Sequence, residues 1–353
     1  MLFKDHIEHQ RLFRLALAAF CLAIVVVMLG AFTRLVDAGL GCPDWPGCYG
    51  HLLWPNEAHE VIRAEAKFPD APVEHDKTWP EMVHRYFAGA LGLLILAIVI
   101  FAIREHRQPG AIALSTRNAH SVPLKLTISL LVLVIVQAMF GMWTVTLKLW
   151  PQVVTAHLLG GFATLSLLWL LVQRLGGATW QLDEQQRQRL VRTKPLLIVA
   201  LIAVVVQIAL GGWVSSNYAA LACPDFPQCL GQWLPPMDIK KGFTLWQDIG
   251  PNYLGGQLDN HARTAIHWVH RLGAITVTLL LLITGLALWR IAAKQIQCWV
   301  LLLALVLTLQ LILGASNIIW ALPLTVAVAH NAIGALLLLT MVSICYRAWV
   351  AMR

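Results

Sequence analysis

Long apolar segments alternate with shorter polar segments along the whole chain. Eight of the apolar segments are close to or above the roughly 20 residues that an α-helix needs to cross the hydrocarbon core of a bilayer. They predict transmembrane helices over residues 12–35, 81–103, 124–146, 153–173, 195–216, 264–289, 298–318 and 324–346. The pattern therefore predicts an all-α polytopic membrane protein.

The composition agrees with this pattern. Hydrophobic residues make up 58% of the chain and charged residues only 12%, whereas a soluble domain is about half apolar and about a quarter charged. The net charge is +8, but Lys and Arg are concentrated on one side of the predicted membrane. Because this bias is typical of cytoplasmic loops, we expect both termini in the cytoplasm, the two cysteine-containing loops outside, and no nucleic-acid partner.

A short cysteine motif occurs twice, each time in a predicted outer loop. The first copy reads GCPDWPGCYG and the second reads ACPDFPQCLG. Five of the seven positions from Cys42 to Cys48 recur from Cys223 to Cys229. The recurrence raises the question of whether a larger unit has been duplicated.

The duplication extends into the helices. The tetrapeptide MVHR opens the second predicted helix, and WVHR opens the sixth. A Gln, a Gly and a His at fixed offsets in helices three and four return in helices seven and eight. These residues are Gln137, Gly141 and His157, and then Gln310, Gly314 and His330. We predict two tandem four-helix bundles with outer cysteine loops, over 1–173 and 195–353, joined by a basic cytoplasmic linker over 174–194.

Each predicted bundle carries two histidines at similar depth. They are His84 and His157 in the first half, and His270 and His330 in the second. Ionisable side chains inside a membrane are costly and face the protein interior. A lone histidine there is more often a hydrogen-bond partner, but two level pairs, each on helices expected to be neighbours, favour bis-histidine heme ligation. Zinc or copper is disfavoured because further ligands at that depth are not evident.

Small and basic residues near the histidines fit a bound macrocycle. Glycines within about two turns of a histidine would let a flat ring approach the backbone; they are Gly89, Gly160, Gly161, Gly273 and Gly334. Arg85 and Arg271 each follow a histidine directly and are candidates for binding heme propionates. The alternative is that these arginines extend to the membrane interface.

The two halves differ three residues before the first histidine of each. Glu81 stands there in the first half, and His267 stands there in the second. A carboxylate that stands beside one of the two sites and not beside the other suggests acid–base chemistry at the first of them. The alternative is an acidic residue favoured at a helix N-terminus.

Taken together, these motifs resemble the heme A synthase family over essentially the whole chain. The matching segments are GLGCPDWPGCYG, EMVHR, TAHLLGG, HWVHR and AHNAIGA. The resemblance implies oxidation of the C8 methyl of heme O to a formyl group, giving heme A for cytochrome c oxidase. It implies that heme b is the cofactor, ligated by His270 and His330. It places the heme O substrate on His84 and His157.

The resemblance implies further assignments. The functional glutamate of the family falls on Glu81. The cysteine pairs would be disulfides, Cys42 with Cys48 and Cys223 with Cys229, although members differ in cysteine content and a redox role does not carry over. The protein would lie in a bacterial cytoplasmic membrane with its cysteine loops in the periplasm. Its partners would include heme O synthase, cytochrome c oxidase assembly factors and an unidentified electron-transfer partner, and association with further copies of itself is compatible with the sequence.

Two other functions compete with this one. A di-heme membrane cytochrome b would explain the four histidines but not the one-sided Glu81. A membrane thiol–disulfide oxidoreductase would explain the outer cysteines. Redox-active pairs, however, are commonly Cys-x-x-Cys, and two prolines in so short a loop favour a rigid structural element.

Overall fold

The computed structural model describes residues 10–107 and 123–352. Within these residues the helices are α1 (Gln10–Leu35), α2 (Ala58–Lys67), α3 (His75–Arg107), α4 (Leu124–Thr146), α5 (Pro151–Leu175), α6 (Glu184–Arg192), α7 (Lys194–Ser216), α8 (Ile239–Gly242), α9 (Asn260–Trp289), α10 (Lys294–Ile319) and α11 (Leu324–Ala351). Eight of them are long and apolar enough to cross a membrane, and α2, α6 and α8 are short connectors. The prediction of an all-α polytopic membrane protein is confirmed.

The helices that carry the first histidine of each half are longer than their apolar segments. Helix α3 begins at His75 and α9 at Asn260, because polar first turns can extend beyond the hydrocarbon region. Asp259 caps α9 by accepting a hydrogen bond from the Ala262 N–H at 3.0 Å. His84 therefore lies about two and a half turns from the start of α3, whereas it lies within one turn of the start of the predicted apolar segment.

Each half forms a closed ring of four long helices. In the first half, α1 and α4 each pack against both α3 and α5. In the second half, α7 and α10 each pack against both α9 and α11. This is consistent with two tandem four-helix bundles. It also makes the histidine-bearing helices diagonal partners across each ring, whereas the sequence suggested direct neighbours.

The two rings share one interface. Helix α5 packs against α7 and α11, and α1 packs against α11. The Trp169 indole N–H donates to Ser343 Oγ at 2.7 Å across this interface. At one end, the Arg34 guanidinium lies 4.2 Å from the centre of the Tyr218 ring, and the Tyr218 hydroxyl donates to Asp37 at 2.9 Å. Close side-chain packing and interhelical hydrogen bonds of this kind are what hold helices together in a bilayer.

The predicted linker 174–194 contains the short helix α6. Its N-cap, Asp183, accepts a hydrogen bond from the Gln186 N–H at 2.8 Å, and the Gln186 side chain accepts one from the Asp183 N–H at 3.2 Å. This capping box fixes the start of a helix that the hydropathy pattern could not reveal.

Candidate functional site

Each cysteine motif folds into a small closed loop. A disulfide joins Cys42 to Cys48 with a Cα–Cα distance of 4.8 Å, and another joins Cys223 to Cys229 with a distance of 4.7 Å. After the second cysteine, the chain reverses in a two-residue turn whose second residue is glycine in the left-handed region, Gly50 at φ 77°. Only glycine adopts this conformation without a steric cost, which explains why the glycine recurs.

The aspartate of each motif holds that turn. Asp44 accepts hydrogen bonds from the N–H groups of Tyr49 at 2.6 Å and Gly50 at 2.7 Å. In the second loop, Asp225 does the same for Leu230 at 2.6 Å and Gly231 at 2.8 Å. The repeated Cys-Pro-Asp sequence therefore encodes the turn as well as the disulfide.

The carboxyl group of Asp225 should make the stability of the second loop depend on pH. The backbone N–H groups of Gly231 and Leu230 hold the pKa of Asp225 below its usual value of 3.8. A carboxyl whose pKa is lower in the folded loop contributes stability above its ordinary pKa and loses it as the pH falls through the lowered value. We expect hydrogen exchange at Leu230 and Gly231, corrected for intrinsic rates, to stay constant from about pH 7 to 5 and to increase only in stronger acid. In Asp225→Asn the acid step should disappear, and a step in that variant would contradict the assignment.

Arg85 and Arg271 are directed into these loops. The Arg85 guanidinium donates to the carbonyls of Asp44 at 3.0 Å and Gly47 at 2.6 Å. The Arg271 guanidinium donates to the carbonyls of Cys223 at 2.7 Å and Gln228 at 2.7 Å. Each arginine therefore ties its loop to the helix that carries the first histidine of that half.

Glu81 and His267 occupy equivalent structural positions. Glu81 Oε2 accepts from the Cys42 N–H at 2.9 Å, and Glu81 Oε1 accepts from Arg85. The His267 imidazole takes the same place, with Nδ1 3.3 Å from the Cys223 nitrogen and Nε2 3.3 Å from the Arg271 guanidinium. Because a neutral imidazole accepts at only one ring nitrogen, only one of these two contacts is a hydrogen bond at a time. Both side chains are buried.

We call each such set of three, the first cysteine, the buried acceptor and the arginine, a loop anchor. The Glu81 carboxylate and the His267 imidazole are therefore two chemically different groups that anchor equivalent loops.

Each of the four sequence-predicted histidines lies against a glycine of an adjacent helix. A Cβ at Gly30 would be 2.9 Å from His84 Cε1, and one at Gly141 would be 3.3 Å from His157 Cε1. The second half repeats this, with 3.3 Å from Gly211 to His270 and 3.2 Å from Gly314 to His330. At 2.9 Å the His84 imidazole would have to shift, and at 3.2–3.3 Å the other three imidazoles would have to give by a few tenths of an ångström. Three of these glycines stand four residues after a glutamine, a spacing already visible in the repeat.

The glycines expected to face a flat ring mostly face these glutamines instead. A Cβ at Gly160 would collide with the Gln137 amide, one at Gly273 with the Gln207 amide, and one at Gly334 would touch the Gln310 amide. Gly161 likewise lies next to Gln137, and Gly89 has open space beside it. The sequence interpretation missed these glutamines, although Gln137 and Gln310 marked the repeat.

The histidines suit a heme. In each half the two imidazoles lie within electrostatic range of one another, and all four keep part of their surface accessible. The Nδ1 atoms of His84, His157 and His330 are buried without a hydrogen-bond partner among the described residues. Within the same residues, no three His, Cys, Asp or Glu side chains are grouped to hold a bare metal ion. Iron between two imidazoles needs further ligands, and a porphyrin supplies four nitrogens.

Comparison with known proteins agrees with this geometry. A family model described as "Cytochrome oxidase assembly protein" matches residues 13–342. A heme A synthase from Shewanella oneidensis is 45% identical over 92% of this chain and 93% of its own length.

More distant relatives point to the same family. A heme A synthase from the Wolbachia of Brugia malayi is 27% identical over 88% of this chain and 89% of its own length. One from Halalkalibacterium halodurans is 25% identical over 94% and 93% of the two chains. Because the family model covers residues 13–342 and the Shewanella oneidensis relative is 45% identical over 92% of the chain, this chain belongs to the heme A synthase family of cytochrome oxidase assembly proteins.

Proposed function

We propose that this protein is a heme A synthase that oxidises the C8 methyl of heme O to a formyl group. One observation carries the proposal, namely that in each ring the two imidazoles, on diagonal helices, lie within electrostatic range of one another. Its 45% identity to the Shewanella oneidensis heme A synthase over most of both chains supports the same activity. A cytochrome b or a thiol–disulfide oxidoreductase is not favoured by these relatives.

We assign the substrate to the first half, 1–173, and the cofactor to the second, 195–353. His84 and His157 would hold the iron of heme O, and His270 and His330 would hold heme b. Glu81 supports this assignment of substrate and cofactor to the two halves, since only the first half places a carboxylate one turn from a histidine. When bound, heme b supplies one-electron redox chemistry to the second half.

The reaction consists of two successive two-electron oxidations, from methyl to alcohol and from alcohol to hydrated aldehyde. With water as the oxygen donor, each oxidation adds one oxygen atom and releases two electrons and two protons. The proposed electron-transfer partner would take up the electrons, and a proton acceptor close to the methyl is required. Glu81 is held at the end of the site by the Cys42 N–H and by Arg85, which fixes the direction of its carboxylate. We propose that Glu81 takes a proton or positions water at the methyl, while the loop anchor keeps it in place.

Arg85 and Arg271 remain candidates for the heme propionates. Their guanidinium groups already donate to the loop carbonyls, so a propionate would bind where a cysteine loop meets its ring of four helices. The arginine would then join heme, loop and helix in one network. Arginine suits this role because its five donors can serve several acceptors at once.

The membrane setting completes the proposal. We propose that both termini lie in the cytoplasm and both cysteine loops lie in the periplasm of a bacterial inner membrane. The charge bias of the loops and the disulfides, which persist in oxidising compartments, support this orientation. Heme O synthase, as the source of the substrate, and cytochrome c oxidase assembly factors are the proposed partners, together with an electron-transfer partner.

Extraction of the hemes from the purified protein tests the function. We expect mass spectrometry to find heme b together with heme O, its hydroxylated intermediate or heme A. Non-reducing peptide mapping of the same sample should find both disulfides. Heme b as the sole heme at two equivalents per chain would instead identify a di-heme cytochrome b.

A further inference from the structure

The four histidines do not have equivalent surroundings. Each packs against a helix that carries two residues four positions apart, and the second of the two is always glycine. The first is glutamine at three of the histidines and valine at His84; the segments are QAMFG (137–141), QIALG (207–211), QLILG (310–314) and VVMLG (26–30). Because the halves are repeats, Val26 stands where the second half has Gln207.

Gln207 makes two contacts with one histidine. Its side-chain Nε2 lies 3.1 Å from His270 Nδ1 and donates to the His270 carbonyl at 2.9 Å. Its Oε1 is buried and has no hydrogen-bond partner among the described residues. When the imidazole ligates through Nε2, its Nδ1 carries a hydrogen, and a turn of the amide that gives up the donation to the carbonyl would present Oε1 to this Nδ1–H.

A glycine makes this contact sterically accessible. A Cβ at Gly273, one turn beyond His270, would collide with the Gln207 amide. The corresponding position one turn beyond His84 is Phe87. At His84 the ring is bonded to the main chain of Val26, and its Nδ1 has no partner in the described residues. The first half therefore lacks both the amide and the space for it.

We infer that Gln207 is a positioning residue that holds the His270 imidazole for a permanently bound heme. At His84 the Val26 and Phe87 pair offers no side-chain amide, so a single main-chain contact holds the ring, which suits a heme that must be exchanged. The inference rests on the proposed function, since it assigns a resident cofactor to the second half and a substrate to the first. Hydrogen bonds to ligating histidines fix ring orientation, and their loss typically weakens metal binding about 10- to 100-fold.

The test compares heme release in variants of the full-length purified protein. In Gln207→Met, which keeps the volume but removes the amide, we expect transfer of heme b to excess apomyoglobin to be about 10- to 100-fold faster. The low-spin electron paramagnetic resonance signal should also shift, because the imidazole orientation is less constrained. The matched control is Gln173→Met, since Gln173 is another buried glutamine and lies on α5 away from His270; its release rate should match wild type.

The reverse change tests the first half. Val26→Gln combined with Phe87→Gly should slow the release of heme O or heme A from that half. A folded Gln207→Met protein with both disulfides intact and wild-type heme b release would overturn the inference. If Gln207→Met does not fold, unchanged release from the Val26→Gln/Phe87→Gly protein would overturn it.

Heme A formation is measured in the same membranes. Faster heme b release from a chain whose wild type forms no heme A would refute the proposed function and leave the positioning role standing. Unchanged release from a chain that does form heme A would refute only the positioning role.

Discussion

His270→Ala is expected to reduce the heme b content of the purified protein to less than about a tenth of wild type. Loss of a hydrogen bond to a ligating histidine already weakens metal binding about 10- to 100-fold, and removal of the ligand itself should do at least as much. His330→Ala should behave in the same way, because both histidines are assigned to the same iron and their imidazoles lie within electrostatic range of one another. Heme b content is measured from the pyridine hemochrome spectrum per polypeptide.

The first half provides the matched control for this experiment. His84→Ala removes an equivalent histidine, which also lies against a glycine, but it should leave heme b in place and remove heme O instead. Any variant that retains the unaltered low-spin spectrum of both sites would show that its histidine is not a ligand. Loss of heme b from His84→Ala with retention in His270→Ala would reverse the assignment of the two halves.

Glu81→Gln is expected to lower heme A formation by about 10²- to 10⁴-fold, the range typical for loss of a general acid or base. The variant keeps the shape of the side chain and an oxygen that can accept from the Cys42 N–H. It removes the charge that pairs with Arg85. Heme b should remain bound, and heme O or the alcohol intermediate should accumulate, as measured by mass spectrometry of extracted hemes.

A second variant separates chemistry from anchoring. Glu81→His installs the residue with which the second half anchors its own loop, as His267 does between Cys223 and Arg271. If the loop anchor is the only role of Glu81, Glu81→His should retain much of the activity lost in Glu81→Gln. We expect instead that both variants fail to form the aldehyde, while hydrogen exchange shows the first cysteine loop still ordered in Glu81→His. Wild-type heme A levels in either variant would refute a catalytic carboxylate.

The outer loops illustrate how far a local motif can be interpreted. The recurrence of Cys-Pro-Asp showed that the loop is duplicated, and the two prolines favoured a rigid element. The sequence could not show that Asp44 and Asp225 hold the following turn, because a carboxylate has many available donors. The arginines show the same limit, since their donors serve loop carbonyls that only folding brings within reach.

Sequence by itself determined the eight spans, the tandem repeat and the four candidate histidines. These features depend on residue type and spacing, since a helix in lipid must satisfy its own backbone and be apolar over a fixed length. Only the tertiary structure decided that α3 and α5, and α9 and α11, are diagonal partners. It also decided that Glu81 and His267 are equivalent anchors and that the Gln207 amide lies against the His270 imidazole. These are relations between side chains on different helices, and they depend on how the helices rotate and pack, which the apolar pattern of each helix does not specify.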